Sequence, residues 1–191
     1  MATTHSPKTF HIFYAWAEGP WHGRALAAAL EQAGFAEAPL QEATIVIAHS
    51  VGCYLLSPAD VNKIVVLIGP PYWPGKSIVR RGLQKIWQDF RLHQTALPHW
   101  LQKTMWNIVY VVSKPSMTVK AWRAVHHPDP LSTLPPHAMT IRNEADSFCT
   151  PELARLIKHR VVSLPGQHDD CWEHPAAYVE LVKGNYAKLL A

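Results

Sequence analysis

A short apolar segment that ends in a serine constrains the fold of this chain more than any other feature. The segment TIVIAHSVGC spans residues 44–53. Its β-branched start is typical of a buried strand, and the small-x-Ser-x-Gly pentapeptide that follows is typical of a sharp turn from a strand into a helix. Ala48 and Gly52 are small at the two positions where neighbouring backbone passes close to such a turn. Ser50 therefore lies at the apex, where its hydroxyl can act as a nucleophile.

Other apolar runs extend this strand into a sheet. Strand patterns occur at residues 10–15, 64–68, 138–142 and 161–164, and helical patterns occur at 21–33, 51–56, 151–159 and 175–190. The run at 64–68, IVVLI, is apolar throughout, as expected for a strand that is buried on both faces. Because strands alternate with helices, we predict an α/β fold, namely a three-layer sandwich with a trimmed, mostly parallel sheet of about five strands.

Residues 70–136 interrupt this alternation and differ in chemistry from the rest of the chain. They contain nine Lys or Arg against two Asp, a balance of +7, whereas the remaining residues balance at −3, and they hold five of the eight tryptophans. Apolar residues at helical spacing predict helices at 77–93, 98–112 and 116–125, followed by an extended, proline-rich connector at 128–136. We predict a single domain over residues 1–191 with a helical cap inserted at about 70–136.

The basic, tryptophan-rich cap has three interpretations. Its apolar faces can simply pack on the sheet and on each other. It can form a lid that encloses an apolar acyl or aromatic group, with Trp73, Trp87 and Trp106 as candidate substrate-binding residues. It can also meet an anionic lipid or another anionic surface. No motif supports binding to nucleic acid.

The composition indicates the cellular compartment of the protein. No apolar run approaches the length of a bilayer span. The three cysteines Cys53, Cys149 and Cys171 are too few and too scattered for a disulfide framework, so a reducing cytoplasm is the simplest location. The oligomeric state is left open.

A serine nucleophile requires a base and a group that orients the base. In a parallel sheet, the loops at the carboxyl ends of the strands converge on one edge. Asp146 follows the fourth predicted strand and His168 follows the fifth. Because Ser50, Asp146 and His168 each follow a strand, we predict a nucleophile, an orienting acid and a general base at one edge of the sheet.

Several neighbouring residues offer alternatives to these roles. Glu144 is the substitute acid and His174 is the substitute base, while Asp146 could instead cap a helix. Cys53 is interpreted as a small buried residue, and His49 is assigned no catalytic role. The cluster from His168 to His174 also contains metal-ligand types, but they crowd one loop, so we expect neither a metal nor a cofactor.

These motifs resemble those of the α/β-hydrolase family. The segment AHSVG is similar to the nucleophile elbow, the loop at 142–151 to the acid loop, and the segment GQHD at 166–169 to the histidine loop. In size the chain resembles the small retinoblastoma-binding-protein-type serine hydrolases. Between the predicted helix at 21–33 and the strand before Ser50, the segment at 34–44 is too short for the strand and helix that precede the elbow strand in the family. The resemblance implies an oxyanion hole from the backbone N–H of Val51 and from the loop around Ala15 and Trp16.

The sequence therefore predicts a serine hydrolase that cleaves a carboxylic ester or related acyl bond in a small molecule. Transfer of the acyl group to an acceptor other than water would use the same residues. A hypothesis of a different class is a binding or scaffold protein that has kept the hydrolase fold and holds a partner with the basic cap.

Overall fold

The computed structural model describes residues 8–14, 21–57, 60, 62–72, 87, 105, 108–109, 112–126, 131, 134 and 137–190. Its centre is a six-stranded sheet with the order β2-β1-β3-β4-β5-β6, and every neighbouring pair of strands is parallel. The strands are β1 (Thr9–Phe13), β2 (Ala36–Glu37), β3 (Ile45–His49), β4 (Ile64–Ile68), β5 (Met139–Asn143) and β6 (Arg160–Leu164). Parallel pairing requires each connection to cross back over a face of the sheet, so helices cover both faces.

The helices among the described residues follow this requirement. They are α1 (Arg24–Gln32), α2 (Pro115–His126), α3 (Pro151–Leu156), α4 (Asp170–Glu173) and α5 (Ala176–Leu190), with a 3-10 helix at Ser50–Tyr54 directly after β3. Proline at the first position of α3 has the fixed φ that a helix start requires. None of the described helices is long and apolar enough to cross a membrane.

The core has two halves, one on each face of the sheet, because successive side chains of a strand point to opposite faces. On one face, Ile45 and Ile47 of β3 pack with α1 and α5 through Leu26, Leu30 and Val182. On the other face, Val65 and Leu67 of β4 pack with α3, with the 3-10 helix and with Leu131, all within one buried cluster. Every residue of β3 is buried, which places the strand that carries Ser50 in the middle of the molecule.

The structure confirms the predicted α/β class and the mostly parallel sheet, and β4 has the predicted bounds. The sheet has six strands rather than about five. The additional strand, β2, has only two residues, both exposed, so no apolar pattern marks it in the sequence. β2 occupies part of the gap at 34–44 and pairs with the start of β1.

Most of the predicted cap lies outside the described residues, including Trp73 and Trp106. The predicted third helix is observed as α2. Leu131 is helical and buried, so the predicted connector at 128–136 is not extended throughout. The apolar residues Met105, Ile108, Val109 and Val112 are helical and 49–75% exposed, so their shared face does not pack on the sheet. The division of the chain into one domain with a cap insertion stays a prediction.

Candidate active site

Ser50 lies where β3 ends and the 3-10 helix begins. Its φ is 51°, and Ser50 is the one non-glycine residue with positive φ among those that the structure describes. This left-handed conformation costs a residue with a side chain about 1–3 kcal/mol, and such strain is typical of functional turns. A Cβ added at Gly52 would lie 2.7 Å from the carbonyl oxygens of both Phe13 and Tyr14. The turn therefore has no room for a side chain at Gly52, which agrees with the predicted need for a small residue there.

Asp146 and His168 reach Ser50 from two loops that are joined to each other. The loops follow β5 and β6, which are adjacent in the sheet. The backbone N–H of Glu144 donates to the Leu164 carbonyl at 2.9 Å, and the N–H of Ala145 donates to the Gly166 carbonyl at 3.0 Å. These bonds continue the strand pairing into the loops, so the acid and the histidine are held in fixed relative positions.

The three side chains form one continuous hydrogen-bonded series. His168 Nε2 lies 2.8 Å from Ser50 Oγ, and His168 Nδ1 lies 2.7 Å from Asp146 Oδ2. All three residues are 6–7% exposed. If Nδ1 carries the hydrogen that the Asp146 carboxylate accepts, Nε2 is left with a lone pair aimed at the serine hydroxyl. This arrangement can remove the hydroxyl proton as the oxygen attacks an electrophile.

Asp146 is held as a carboxylate. Burial raises the pKa of the Asp146 side chain. The positive charge of His168, its hydrogen bond and the backbone N–H groups of Phe148 and Cys149 lower this pKa by more, so the net pKa lies below the usual value of 3.8. The Phe148 N–H donates to Asp146 Oδ1 at 2.7 Å. Asp146 therefore stays charged near neutral pH and can stabilise a protonated His168.

The His168 ring lies between two other aromatic rings. Phe148 and His49 lie 4.8 and 4.9 Å from it between ring centroids, and Trp172 lies 4.8 Å from His49. The buried His49 also donates a hydrogen bond from Nε2 to the His168 carbonyl at 3.0 Å. The sequence predicts no catalytic role for His49, and the position of His49 beside Ser50 in the chain gives no signal of this contact with a loop 119 residues away.

The overall structure is similar to several solved hydrolases. It matches an alpha/beta hydrolase enzyme from a metagenome of Mar Chica lagoon sediments in Morocco (TM-score 0.56, 15% identity, 97% of this chain and 93% of that chain). It also matches the meta-cleavage product hydrolase of Pseudomonas fluorescens IP01 (TM-score 0.67, 12% identity, 96% of this chain and 92% of that chain). A third match is the enol-lactonase of Burkholderia xenovorans LB400 (TM-score 0.54, 15% identity, 97% of this chain and 94% of that chain). The chain has the α/β-hydrolase fold. No protein-family profile and no curated protein matches the sequence. The resemblance in size to the retinoblastoma-binding-protein type stays a prediction.

Within the α/β-hydrolase fold, the substitute acid and base differ in burial from the residues of the hydrogen-bonded series. Glu144 and His174 are exposed, whereas Asp146 and His168 are buried beside the serine. Cys53 donates a hydrogen bond from Sγ to the Ala48 carbonyl at 3.1 Å. Burial raises the pKa of the Cys53 thiol well above its usual value, so Cys53 is held as a neutral thiol.

Three residues at this site have side chains of the kinds that bind metal ions. His49, His168 and Asp169 can bring one ligand atom each within 4.8 Å of one another. Both ring nitrogens of His168 already lie within hydrogen-bond distance of Ser50 and Asp146. A metal bound there would have to displace one of these contacts, so the geometry favours the hydrogen-bonded series over a metal centre.

The remaining predicted site residues are described only in part. Val51 is half-buried in the first turn after Ser50. Ala15 and Trp16, the predicted second half of the oxyanion hole, lie outside the described residues. The Trp87 side chain is 54% exposed. The oxyanion and substrate-binding roles of these residues stay predictions.

Proposed function

We propose that this protein is a serine hydrolase that cleaves an ester or a related acyl bond of a small molecule. The observation that carries the proposal is the series Ser50–His168–Asp146, whose two hydrogen bonds of 2.8 and 2.7 Å are those that a nucleophile, a general base and an orienting acid require. The hydrolase neighbours share the fold, and the proposal rests on this chain's own residues.

In the first half of the proposed reaction, Ser50 Oγ attacks the carbonyl carbon while His168 Nε2 takes the hydroxyl proton. Asp146 stabilises the resulting imidazolium through its bond to Nδ1. Backbone N–H groups, one of them from Val51 and another from the loop around Ala15 and Trp16, stabilise the negative oxygen. His168 then returns its proton to the leaving group, and the acyl group remains on Ser50 as an ester.

In the second half, water replaces the leaving group. His168 Nε2 takes a proton from the water as its oxygen attacks the acyl carbon, and the collapse of the tetrahedral intermediate frees the acid and restores the Ser50 hydroxyl with the proton from His168. An acceptor other than water would make the protein an acyltransferase with the same residues. Trp73, Trp87 and Trp106 are the candidates for binding the acyl group, since tryptophan rings suit the burial of an apolar chain.

Hydrolysis of p-nitrophenyl esters of increasing chain length tests this proposal. We expect release of p-nitrophenol by the wild type and its loss in Ser50→Ala. Ser163→Ala, which removes an exposed hydroxyl from β6, is the matched control and should retain full activity. Equal rates for wild type and Ser50→Ala would contradict the proposal, and a preference for long chains would favour the lid interpretation of the cap.

A second candidate function is peripheral binding to an anionic surface through the cap. The exposed residues Met105, Ile108, Val109 and Val112 have the i, i+3, i+4, i+7 spacing of one helical face. An apolar face within a segment of net charge +7 has the composition of interfacial helices that bind anionic lipid.

In a non-catalytic version of this function, Ser50→Ala would leave biological activity unchanged, whereas neutralising Arg80, Arg81 and Lys85 would abolish it.

The three cysteines are buried, and none of them forms a disulfide bond. They support a reducing compartment such as the cytoplasm as the location of the protein.

A further inference from the structure

A buried amide at the end of β5 contacts the loop that carries His168. Asn143 is 0% exposed, although it is polar and lies at the carboxyl end of its strand. Its side chain donates a hydrogen bond from Nδ2 to the Gln167 carbonyl, and its Oδ1 accepts one of 2.7 Å from the Tyr178 hydroxyl. A buried amide of this kind is costly unless both of its ends are paired, and here both are paired.

The orientation of this amide follows from its partners. The Gln167 carbonyl can only accept a hydrogen bond, so it must face the Asn143 NH₂ group. The Asn143 carbonyl oxygen then faces Tyr178, whose hydroxyl has one hydrogen to donate. The Tyr178 hydroxyl is 2.7 Å from Asn143 and 3.3 Å from Asp170 Oδ2, so its hydrogen points to Asn143. Tyr178, on α5, is itself 1% exposed.

The Gln167 carbonyl belongs to the peptide group directly before His168. Its orientation therefore helps to determine where the Cα–Cβ bond of His168 points. The backbone N–H of Asp170 also donates to this carbonyl, at 3.2 Å. The peptide group after His168 is held from the other side, since His49 donates to the His168 carbonyl at 3.0 Å. Both peptide groups that flank His168 are thus held by buried side chains, one from β5 and the other from β3.

We propose that Asn143, held by Tyr178, is a positioning residue that keeps the His168 imidazole between Ser50 and Asp146. Neither residue touches the reacting atoms. Their effect reaches the reaction through the Gln167–His168 peptide group, and the proposal therefore rests on the proposed function. The physical reason is that a general base must be within hydrogen-bond reach of the hydroxyl, and a displacement of about 1 Å can cost a reaction ~100-fold.

The test is the rate at which a fluorophosphonate probe reacts with Ser50, separated into the maximal rate constant and the probe concentration for half-maximal rate. Asn143→Asp keeps the shape of the side chain and the acceptor for Tyr178, but it replaces the donor to Gln167. Tyr178→Phe removes only the hydroxyl. The matched control is Tyr186→Phe, which removes a hydroxyl from another buried tyrosine on α5 that packs on Phe35.

We expect the maximal rate constant to fall about tenfold or more in Asn143→Asp and about fivefold in Tyr178→Phe. The half-maximal concentration should change less than about twofold, because the probe is bound by other groups. Tyr186→Phe should react like the wild type. A purely structural role would lower the melting temperature and leave the rate constant of folded protein unchanged, and that result would overturn the proposal.

The outcomes separate this inference from the proposed function. A wild type that does not react with the probe would overturn both. A wild type that reacts at Ser50, with unchanged rate constants in both variants, would overturn the positioning role alone. If Asn143→Asp does not fold, Tyr178→Phe decides the question by itself.

Discussion

Asp146 accepts a hydrogen bond from His168 Nδ1 at 2.7 Å while the backbone N–H of Phe148, two residues further on, holds its other oxygen at 2.7 Å. The carboxylate is therefore fixed at both oxygens. Space around this contact is limited as well, since a Cβ added at Gly69 would lie 3.0 Å from Asp146 Oδ2 and 3.2 Å from His168 Nδ1. The geometry of the pair depends on three loops at once.

Replacing Asp146 by Asn should lower kcat for p-nitrophenyl acetate by roughly 10³- to 10⁴-fold, because an amide can donate to Nδ1 and stabilise the wrong tautomer of His168. Asp60→Asn is the control, since Asp60 is another buried carboxylate and accepts its hydrogen bonds from Ser57. Steady-state kinetics of both variants check the prediction. Comparable losses in the two variants would argue against a specific role for Asp146.

His159 should make the protein less stable in mild acid. Burial lowers the pKa of its imidazole below 6.5, and its Nε2 lies 2.7 Å from Thr140 Oγ1. The unfolded chain therefore binds a proton more readily than the folded protein as the pH falls below about 6.5. Stability from this group is present above that pH and is lost as the pH falls towards the lowered pKa.

Urea unfolding between about pH 7.5 and pH 5.5 measures this effect. We expect the free energy of unfolding of the wild type to decrease over this range, and the decrease to be smaller in His159→Gln, which cannot take up the proton. Parallel pH profiles for the two proteins would contradict the assignment.

Two glycine-to-alanine substitutions should change the stability of the folded protein in opposite directions. Gly52→Ala should destabilise the protein by roughly 1–3 kcal/mol, because the added Cβ would lie 2.7 Å from backbone oxygens that cannot move without shifting the end of β1. Gly184→Ala adds a Cβ within α5 where no atom lies within 4 Å, so it should stabilise the helix by about 0.5–1 kcal/mol. Thermal and urea unfolding measure both effects, and a stabilising Gly52→Ala would show that the elbow is not closely packed.

Vesicle binding tests the exposed face of the cap. We expect the wild type to sediment with vesicles that contain phosphatidylserine and much less with vesicles of phosphatidylcholine alone, and more weakly at high salt. Ile108→Asp and Val112→Asp should reduce binding, because each places a carboxylate on the apolar face. Leu156→Asp, at a residue of α3 that is 45% exposed, is the control and should bind as the wild type does. Equal binding by all variants would exclude this face as the contact.

Local signals in the sequence predicted the framework of the site. The uninterrupted apolar run at 64–68 marks a strand that is buried on both faces, and the structure places β4 at these residues. Ser50, Asp146 and His168 each follow a strand, so a parallel sheet brings them to one edge. These predictions needed only the order of elements along the chain.

The parts that the sequence did not predict depend on contacts between distant residues. Asn143 and Tyr178 are 35 positions apart, and their hydrogen bond requires α5 to bring the Tyr178 hydroxyl to the end of β5. The two exposed residues of β2 pair with β1 through backbone groups alone, which any sequence can supply. The exposed residues Met105, Ile108, Val109 and Val112 have the same helical spacing as a buried face, so the pattern predicts a helix but not whether its apolar face is covered.

The most direct test of the account is covalent labelling of the native protein with a fluorophosphonate probe, followed by peptide mapping by mass spectrometry. We expect one adduct on the peptide that contains Ser50, no adduct in Ser50→Ala, and labelling slowed roughly 10³-fold or more in His168→Gln, since the hydroxyl would lose its base. Ser163→Ala should label as the wild type does. An unlabelled wild type, or equal labelling of wild type and Ser50→Ala, would contradict the claim that Ser50 is a nucleophile activated by His168.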